Sequence, residues 1–578
     1  MSQNIKIMFK EWILSTVLLF TVLLGCAQEK DNSYEGEWVG HLPKKNSFNF
    51  SVFLQKLSNN RYDLKIMNDT ALIEKEVVSE SRKNIVFSVD EGLYFDLEYK
   101  KNADELSGFI KTGRFLYHIT FAKTDSDTYS AAWNPFMFNN GLQSTDIMLY
   151  MEDTDNGLVA YPFFGDQRFR GAWASNFEQK GDLLTFKDSN TGFNFKANLQ
   201  GDHIDLEILL STSVLTSTRL THTDNGWEYA SEPMVEDQNT NTPSLLDDGW
   251  EVANIGEYHM DQVKLRELIK ASNTGEWSNM HSVLIAKNNQ LVFESYFGGY
   301  NAHIPHDLRS ASKSISSAMM GIAIDDGLID SVEEKLYDFI PDSFQYTKDS
   351  LKAKITLRDL LTMSSGLDVN NQAGEDYYQN PNNSNNWLKT VLEAPMVRVP
   401  GTYLDYGSAN PFLLGVCLSE RLESPLESYM DKKLFAPLGI TNYINQTDDT
   451  EEKPYFGGGM LLTSRDLLKF GQLYLNKGTW KGKRIISESW ITESFKKYGR
   501  LQDAKDKNEY GYLWWHDTYE INGKPIKSIE ARGAGGQFIF ILPELDTVVV
   551  ITAGNFRNGK GNQSRDVLKT HILPALIK

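Results

Sequence analysis

The chain has 578 residues, with 58 Lys and Arg against 77 Asp and Glu, a net charge of −19; that excess of acid excludes a nucleic-acid binder, which needs a basic face to neutralise phosphates. Apolar residues at 41% and charged residues at 23% are ordinary for a protein that buries a core and is not disordered. Two cysteines, Cys26 and Cys417, exclude a disulfide framework, and the length predicts about two or three structural units.

The N-terminus carries Lys6 and Lys10, then an apolar run over residues 12–24, then Leu23-Leu24-Gly25-Cys26. The run is short for a spanning helix and has the layout of a secretory signal. Its end resembles the lipobox of bacterial lipoproteins, which implies cleavage before Cys26 and a lipid on that thiol. Residues 1–25 are thus expected to be a signal peptide and 26–35, polar from Gln28 to Ser33, a solvated tether. A lipid at Cys26 would hold the chain at a membrane, on the periplasmic or cell-surface face of the envelope, with the rest soluble.

Residues 36–235 show short alternating runs, as at 48–54, 62–66, 92–99 and 193–199, punctuated by Asn, Asp and Gly. Period two with frequent turns predicts an antiparallel β-rich unit, a barrel or a sandwich. The opening Gly36-Glu37-Trp38-Val39-Gly40 resembles the first strand of lipocalin-like barrels. Residues 119–125 and 218–224 echo one another faintly, a sign of two similar β halves.

Residues 236–248 are polar and contain Pro243, and are expected to form a linker. Beyond it, Val263, Leu265, Leu268 and Ile269 are spaced as one face of a helix, and hairpins are predicted at 282–294, around Asn288-Asn289, and at 537–551. Residues 249–578 therefore form a mixed α+β unit. Cys417, inside an apolar run, reads as a small buried hydrophobe.

The segment Leu308-Arg309-Ser310-Ala311-Ser312-Lys313-Ser314-Ile315 carries the chemistry. Ile315, Ala318, Met319, Ile322 and Ala323 recur at helical spacing, which puts Ser310 at or near the start of a buried helix with Lys313 on the same face. A helix start favours an alkoxide, and partial burial favours the neutral amine, so the lysine can take the serine's proton. Ser494-Phe495-Lys496-Lys497 repeats the spacing in a polar, lysine-rich stretch and is expected at the surface. His306 lies near Ser310, but no Gly-x-Ser-x-Gly turn surrounds the serine, and a catalytic His306 is not expected. Trp514 and Trp515 are candidates for a substrate pocket or, more simply, for core. The ten histidines are scattered, with no metal-ligand spacing, so neither metal nor cofactor is expected.

Further landmarks follow in order: Thr362-Met363-Ser364-Ser365-Gly366-Leu367, Pro400-Gly401-Thr402, Tyr406-Gly407-Ser408, Gly457-Gly458-Gly459-Met460 and Arg532-Gly533-Ala534-Gly535-Gly536. In this order they resemble the serine β-lactamase and penicillin-binding-protein superfamily, in particular its class C β-lactamase-like and esterase branch, over residues 247–578. The resemblance implies a β-lactamase/transpeptidase-like fold for the C-terminal unit. It implies Ser310 as the acylated nucleophile, Lys313 as its base or proton relay, and Tyr406 as the proton shuttle. It also implies an oxyanion hole from the backbone N–H of Ser310 and Ala534, with Gly533 allowing close approach. The third position of the tyrosine motif is Ser408 where the superfamily has Asn, and whether Ser408 or Asn410 completes the proton network stays open. Ala531-Arg532-Gly533 aligns with the superfamily's Lys or His, Thr or Ser, and Gly, and the missing Lys or His weakens recognition of substrate carboxylates; Arg532 either replaces that cation or, facing away from Ala531 and Gly533 on a strand, is a solvated edge residue. The expected substrate is a small ester, amide or peptide. A true β-lactamase or D,D-peptidase, and an inactive member used as a binding module, are the competing readings.

Overall fold

The computed structural model describes residues 34–577 apart from 44–48, 69, 82, 91, 101–103, 136–143, 156, 165–173, 225–241, 381–382, 449–452, 503–507 and 557. The expected signal peptide, Cys26, the tether up to residue 33 and the linker up to residue 241 lie outside the described residues.

The alternating runs form strands that bury every second side chain. Arg61–Asn68 buries Tyr62, Leu64 and Ile66 and exposes Arg61 and Asp63; Leu93–Tyr99 buries Leu93, Phe95 and Leu97. These strands make two nearly closed rings. In the first, each strand from Phe50–Ser58 to Thr128–Trp133 pairs with the next, except that Thr70–Val78 and Asn84–Asp90 lie side by side unpaired. The strand Thr128–Trp133 closes the ring by pairing with Phe50–Ser58. The second is an 8-stranded sheet in which Gly36–Pro43 lies between Ser144–Thr154 and Ser213–Thr223.

The first strand of the chain therefore completes the second ring, while Thr128–Trp133, which precedes the second ring in sequence, completes the first. The echoing segments 119–125 and 218–224 fall on Phe115–Lys123 and Ser213–Thr223, the strands beside these closing strands. One hydrophobic cluster, from Trp38 and Phe50 to Leu220, runs through both rings.

The C-terminal half is built on a 9-stranded sheet. Helix Gln262–Asn273, begun by Asp261 accepting from the N–H groups of Val263 and Lys264, packs with the C-terminal helices on one face. Helices Lys313–Asp325, Ala409–Ser419 and Ser464–Leu475 belong to the cluster on the other face. Arg465 is buried and binds Glu294 (2.6 Å), Asp248 (3.0 Å) and the carbonyl of Ser244 (2.6 Å), which ties the described end of the expected linker to this unit.

The two halves share a sheet. Phe115, Leu116 and Tyr117 pair with Gln446, Asn445 and Ile444; the strand Tyr443–Gln446 pairs with Met460–Leu462, and that with His306–Asp307. A continuous ladder thus runs from the first ring to the residues just before Ser310. His118 seals the seam: its Nδ1 is 2.8 Å from the Thr441 carbonyl, its Nε2 3.2 Å from Ser107 Oγ, and its ring stacks on Tyr443 at 4.8 Å. Burial pushes His118 below the ordinary histidine range, against the opposing pull of Asp431, so the neutral ring donates to Thr441 and accepts from Ser107.

His516, 8% exposed, is pushed down to about 4, chiefly by burial and then by Lys497. The folded chain keeps it neutral while the unfolded chain protonates it below about pH 6.5, so its contribution to stability is complete above that pH and is lost as pH falls towards 4. The stability difference between wild type and His516→Asn is expected to shrink by on the order of 3 kcal/mol across that window. Urea unfolding of both proteins between pH 7 and 4 measures it, and parallel pH curves would remove His516 from the account.

Candidate active site

Ser310 lies in the tight turn Arg309–Ser312, which feeds directly into helix Lys313–Asp325. Arg309 adopts φ 50°, a left-handed conformation rare outside glycine. The Asp307 carboxylate holds it there, accepting from the Arg309 N–H at 2.9 Å and pairing with its guanidinium at 3.0 Å. Burial raises the Asp307 carboxyl above its usual range, and Arg309 pulls it back. The helix that follows is buried from Lys313 to Ala323. Its serines fit that setting because their hydroxyls donate to carbonyls, Ser314 to Leu513 (2.7 Å) and Ser316 to Phe456 (3.0 Å).

Lys313 is 1% exposed. Its Nζ lies 2.8 Å from Ser310 Oγ, 3.0 Å from Ser408 Oγ and against the Gly457 carbonyl. The Tyr406 ring faces Nζ at 5.4 Å and packs on Trp515 at 5.3 Å and Tyr510 at 6.3 Å. Among the described residues, no hydrogen bond joins the Tyr406 hydroxyl to Lys313 or Ser310.

Of the two candidates left open beside Tyr406, the structure brings Ser408 to the lysine. Asn410 is fully buried at the second position of helix Ala409–Ser419, where its Nδ2 meets the Gly407 carbonyl at 3.3 Å and Met363 Sδ at 3.5 Å. Gly407 is required by packing, because a Cβ there would lie 2.4 Å from Val369 Cβ.

Strand Lys524–Gly533 passes so close to the turn that carries Ser310 that a Cβ on Gly533 would sit 2.2 Å from the Leu308 carbonyl oxygen. Only glycine permits that approach. The chain then leaves the strand at exposed Ala534, whose N–H makes no hydrogen bond among the described residues, and turns through Gly535 (φ 87°) and Gly536 (φ 105°).

Arg532 pairs in register with Phe538, on the sheet face away from Ala531. It is neither presented to the serine nor left as a solvated edge residue. Its guanidinium meets Glu530 at 2.7 Å, Asp517 at 2.9 Å and Asn508 at 3.1 Å, and lies over the Trp515 ring at 4.8 Å.

The remaining candidates separate cleanly. His306 is buried and shares a 2.7 Å hydrogen bond with His281, with its other nitrogen on the Asp307 carbonyl. Trp514 is core, stacked on Phe470 and tilted against Tyr474, whereas Trp515 reaches Tyr406. Ser494, expected at the surface, is instead buried at the end of helix Glu488–Ser494 with its hydroxyl on the Trp490 carbonyl. Cys417 is buried, and burial raises its thiol far above the ordinary range. Among the described residues no group of His, Cys, Asp and Glu is placed to hold a metal, and no helix is long and apolar enough to cross a membrane.

One side chain at the site carried no signal in the sequence. Glu375, at the start of the single turn Glu375–Tyr378, accepts from Ser408 Oγ at 2.9 Å and from the Tyr455 hydroxyl at 2.9 Å.

The family model described as Beta-lactamase matches residues 266–573, more than half of the 578-residue chain. The chain belongs to the beta-lactamase family. It is similar to the 6-aminohexanoate-dimer hydrolase of Paenarthrobacter ureafaciens, at 25% identity over 295 residues, covering 46% of this chain and 70% of that one. Beta-lactamase-like protein 4 of Dictyostelium discoideum is 28% identical over 285 residues, covering 42% of this chain and 49% of that protein. Among solved structures, the penicillin binding protein from Bacillus halodurans aligns with a TM-score of 0.40 at 17% identity, over 53% of this chain and 97% of that one. The expected architecture, a β-lactamase/transpeptidase-like unit after a β-rich, barrel-like one, is the one found.

Proposed function

We propose that the protein is a serine hydrolase of the class C β-lactamase-like branch that opens ester or amide bonds through an acyl-enzyme on Ser310. The observation that carries this reading is the 2.8 Å contact between Ser310 Oγ and the Nζ of a lysine buried to 1% exposure. In its neutral form Lys313 takes the hydroxyl proton as Oγ bonds to the substrate carbonyl carbon. The N–H groups of Ser310 and Ala534 receive the oxyanion. The tetrahedral adduct collapses with loss of the alcohol or amine, which takes up a proton by way of Tyr406. Water then adds to the ester carbonyl, and its proton returns to Ser310 as the acid leaves.

Ester and amide substrates are favoured over carboxylate-bearing cell-wall substrates because Arg532 is engaged by Glu530 and Asp517 and turned from the serine. A relative named as a 6-aminohexanoate-dimer hydrolase adds that compound to the substrates worth trying.

The test is hydrolysis by residues 27–578 of short-chain p-nitrophenyl esters, 6-aminohexanoate dimer, a chromogenic cephalosporin and a D-alanyl peptide, with Ser310→Ala as the blank. Turnover of an ester or the dimer that vanishes in the blank is the expected result. Turnover confined to the cephalosporin or the D-alanyl peptide would make the protein a β-lactamase or D,D-peptidase. No Ser310-dependent turnover, with an intact fold, would favour a binding module.

A further inference from the structure

Lys313 Nζ touches Ser310 Oγ, Ser408 Oγ and the Gly457 carbonyl. To act as a base it must be the neutral amine, with two N–H donors and one lone pair, and the lone pair must point at Ser310. The Gly457 carbonyl is acceptor only and takes one N–H. Ser408 is ambiguous, because a hydroxyl both donates and accepts. If its proton pointed at Nζ, it would occupy the lone pair that Ser310 needs.

Glu375 removes that ambiguity. Its Oε2 lies 2.9 Å from Ser408 Oγ, and a carboxylate can only accept, so the single hydroxyl proton of Ser408 is drawn to Glu375. Ser408 then offers Nζ lone pairs alone. The other carboxylate oxygen is fixed by the Tyr455 hydroxyl at 2.9 Å and Gln379 Nε2 at 3.3 Å, and Tyr455 is itself bonded to Tyr378 at 2.5 Å. Packing of Gly407 against Val369 holds the Ser408 segment on the stretch that carries Glu375.

Resting on the Ser310–Lys313 reading above, we propose that Glu375 is a positioning residue that acts through Ser408 to aim the Lys313 lone pair at Ser310. The serine that replaces the superfamily's asparagine then makes sense. A carboxamide oxygen accepts from the lysine unaided; a hydroxyl needs a second acceptor behind it. Ser408 and Glu375 together do what one asparagine does.

The test reads the rate at which a fluorophosphonate labels Ser310, followed by mass spectrometry of the peptide that contains it. In this reaction Oγ bonds to phosphorus, fluoride leaves, and Lys313 takes the proton, so no natural substrate is needed. Glu375→Gln is nearly isosteric and keeps the acceptor for Tyr455, but its amide nitrogen donates to Ser408 and turns the hydroxyl towards Nζ. Labelling is expected to slow by about 10- to 100-fold, up to the lower end of the roughly 10²- to 10⁴-fold span of general-base effects, since the base is mis-aimed and not removed. Adding Ser408→Asn to Glu375→Gln is expected to bring the rate back to within about three-fold of wild type, since one tenfold step is about 1.4 kcal/mol and the aim of the base is restored. A role confined to holding Tyr455 and Tyr378 would not be rescued at Ser408. Wild-type labelling of Glu375→Gln, or a slow variant that Ser408→Asn leaves slow, overturns the inference. If wild-type Ser310 is not labelled at all, the Ser310–Lys313 reading falls first and takes this one with it.

Discussion

Lys313→Met is expected to lower kcat/KM by about 10³-fold on whichever substrate the protein turns over, within the span of general-base catalysis, while the fold survives. The side chain is fully enclosed, and its Nζ reaches the Ser310 and Ser408 hydroxyls and the Gly457 carbonyl. Methionine is unbranched and of similar length, so it fills the same space without a polar head. An apolar group of like volume removes the desolvation cost of the buried amine, and no carboxylate bonded directly to Nζ is left behind, because Ser408 stands between Lys313 and Glu375. The melting temperature is therefore expected to hold or rise while the fluorophosphonate labelling rate collapses. A variant that labels at the wild-type rate would place the base elsewhere. Loss of activity together with loss of the fold would mean that Lys313 is structural.

How far the sequence foretold this site depends on whether a contact is local. Ser310 and Lys313 are three residues apart, one in the tight turn and the other at the start of the helix it feeds, so local spacing brings Nζ to Oγ. The alternation of a strand likewise placed Arg532 on the face away from Ala531 and Gly533, as found. Ser408 and Asn410 could not be separated that way: both sit where helix Ala409–Ser419 begins, and only the packed structure turns one to Lys313 and the other to Met363. Glu375 was invisible because it is brought to the site from a separate loop, with a surrounding sequence, Gly374-Glu375-Asp376, that reads as ordinary polar surface. Ser494 was misplaced for a related reason. Lys496 and Lys497 do reach outward, to Glu493 and Glu509, but the serine two residues earlier turns back under Trp490.

The β-rich half repeats the lesson at larger scale. Alternation revealed the strands, and the two echoing segments, 119–125 and 218–224, run along the strands beside the two closing strands. The placement of Gly36–Pro43 in the second ring, with Thr128–Trp133 closing the first, left no local trace, because partner choice between distant strands is written in neither strand alone. The sheet that joins the first ring to the residues before Ser310 was hidden for the same cause. The ladder from Tyr117 through Ile444 and Leu461 to Asp307 means that the β-rich half braces the platform on which the Ser310 turn rests.

Tyr406→Phe is expected to cut amide turnover by at least about 10²-fold while leaving the site's shape unchanged. The phenol meets its neighbours through the ring: Lys313 Nζ at 5.4 Å, Trp515 at 5.3 Å and Tyr510 at 6.3 Å. Phenylalanine keeps all three contacts, so the substitution removes the hydroxyl and little else. What that hydroxyl is asked to do is bring a proton to a departing amine, which cannot leave as an anion. p-Nitrophenolate leaves unprotonated, so the burst of p-nitrophenol that reports acylation is expected to slow less than about ten-fold in the same variant. The divergence between the two leaving groups is the diagnostic, since damage to the pocket would slow both alike. Equal and small losses on amide and p-nitrophenyl ester would take the proton shuttle away from Tyr406 and leave Lys313, with its ring of acceptors, to serve both halves of the reaction.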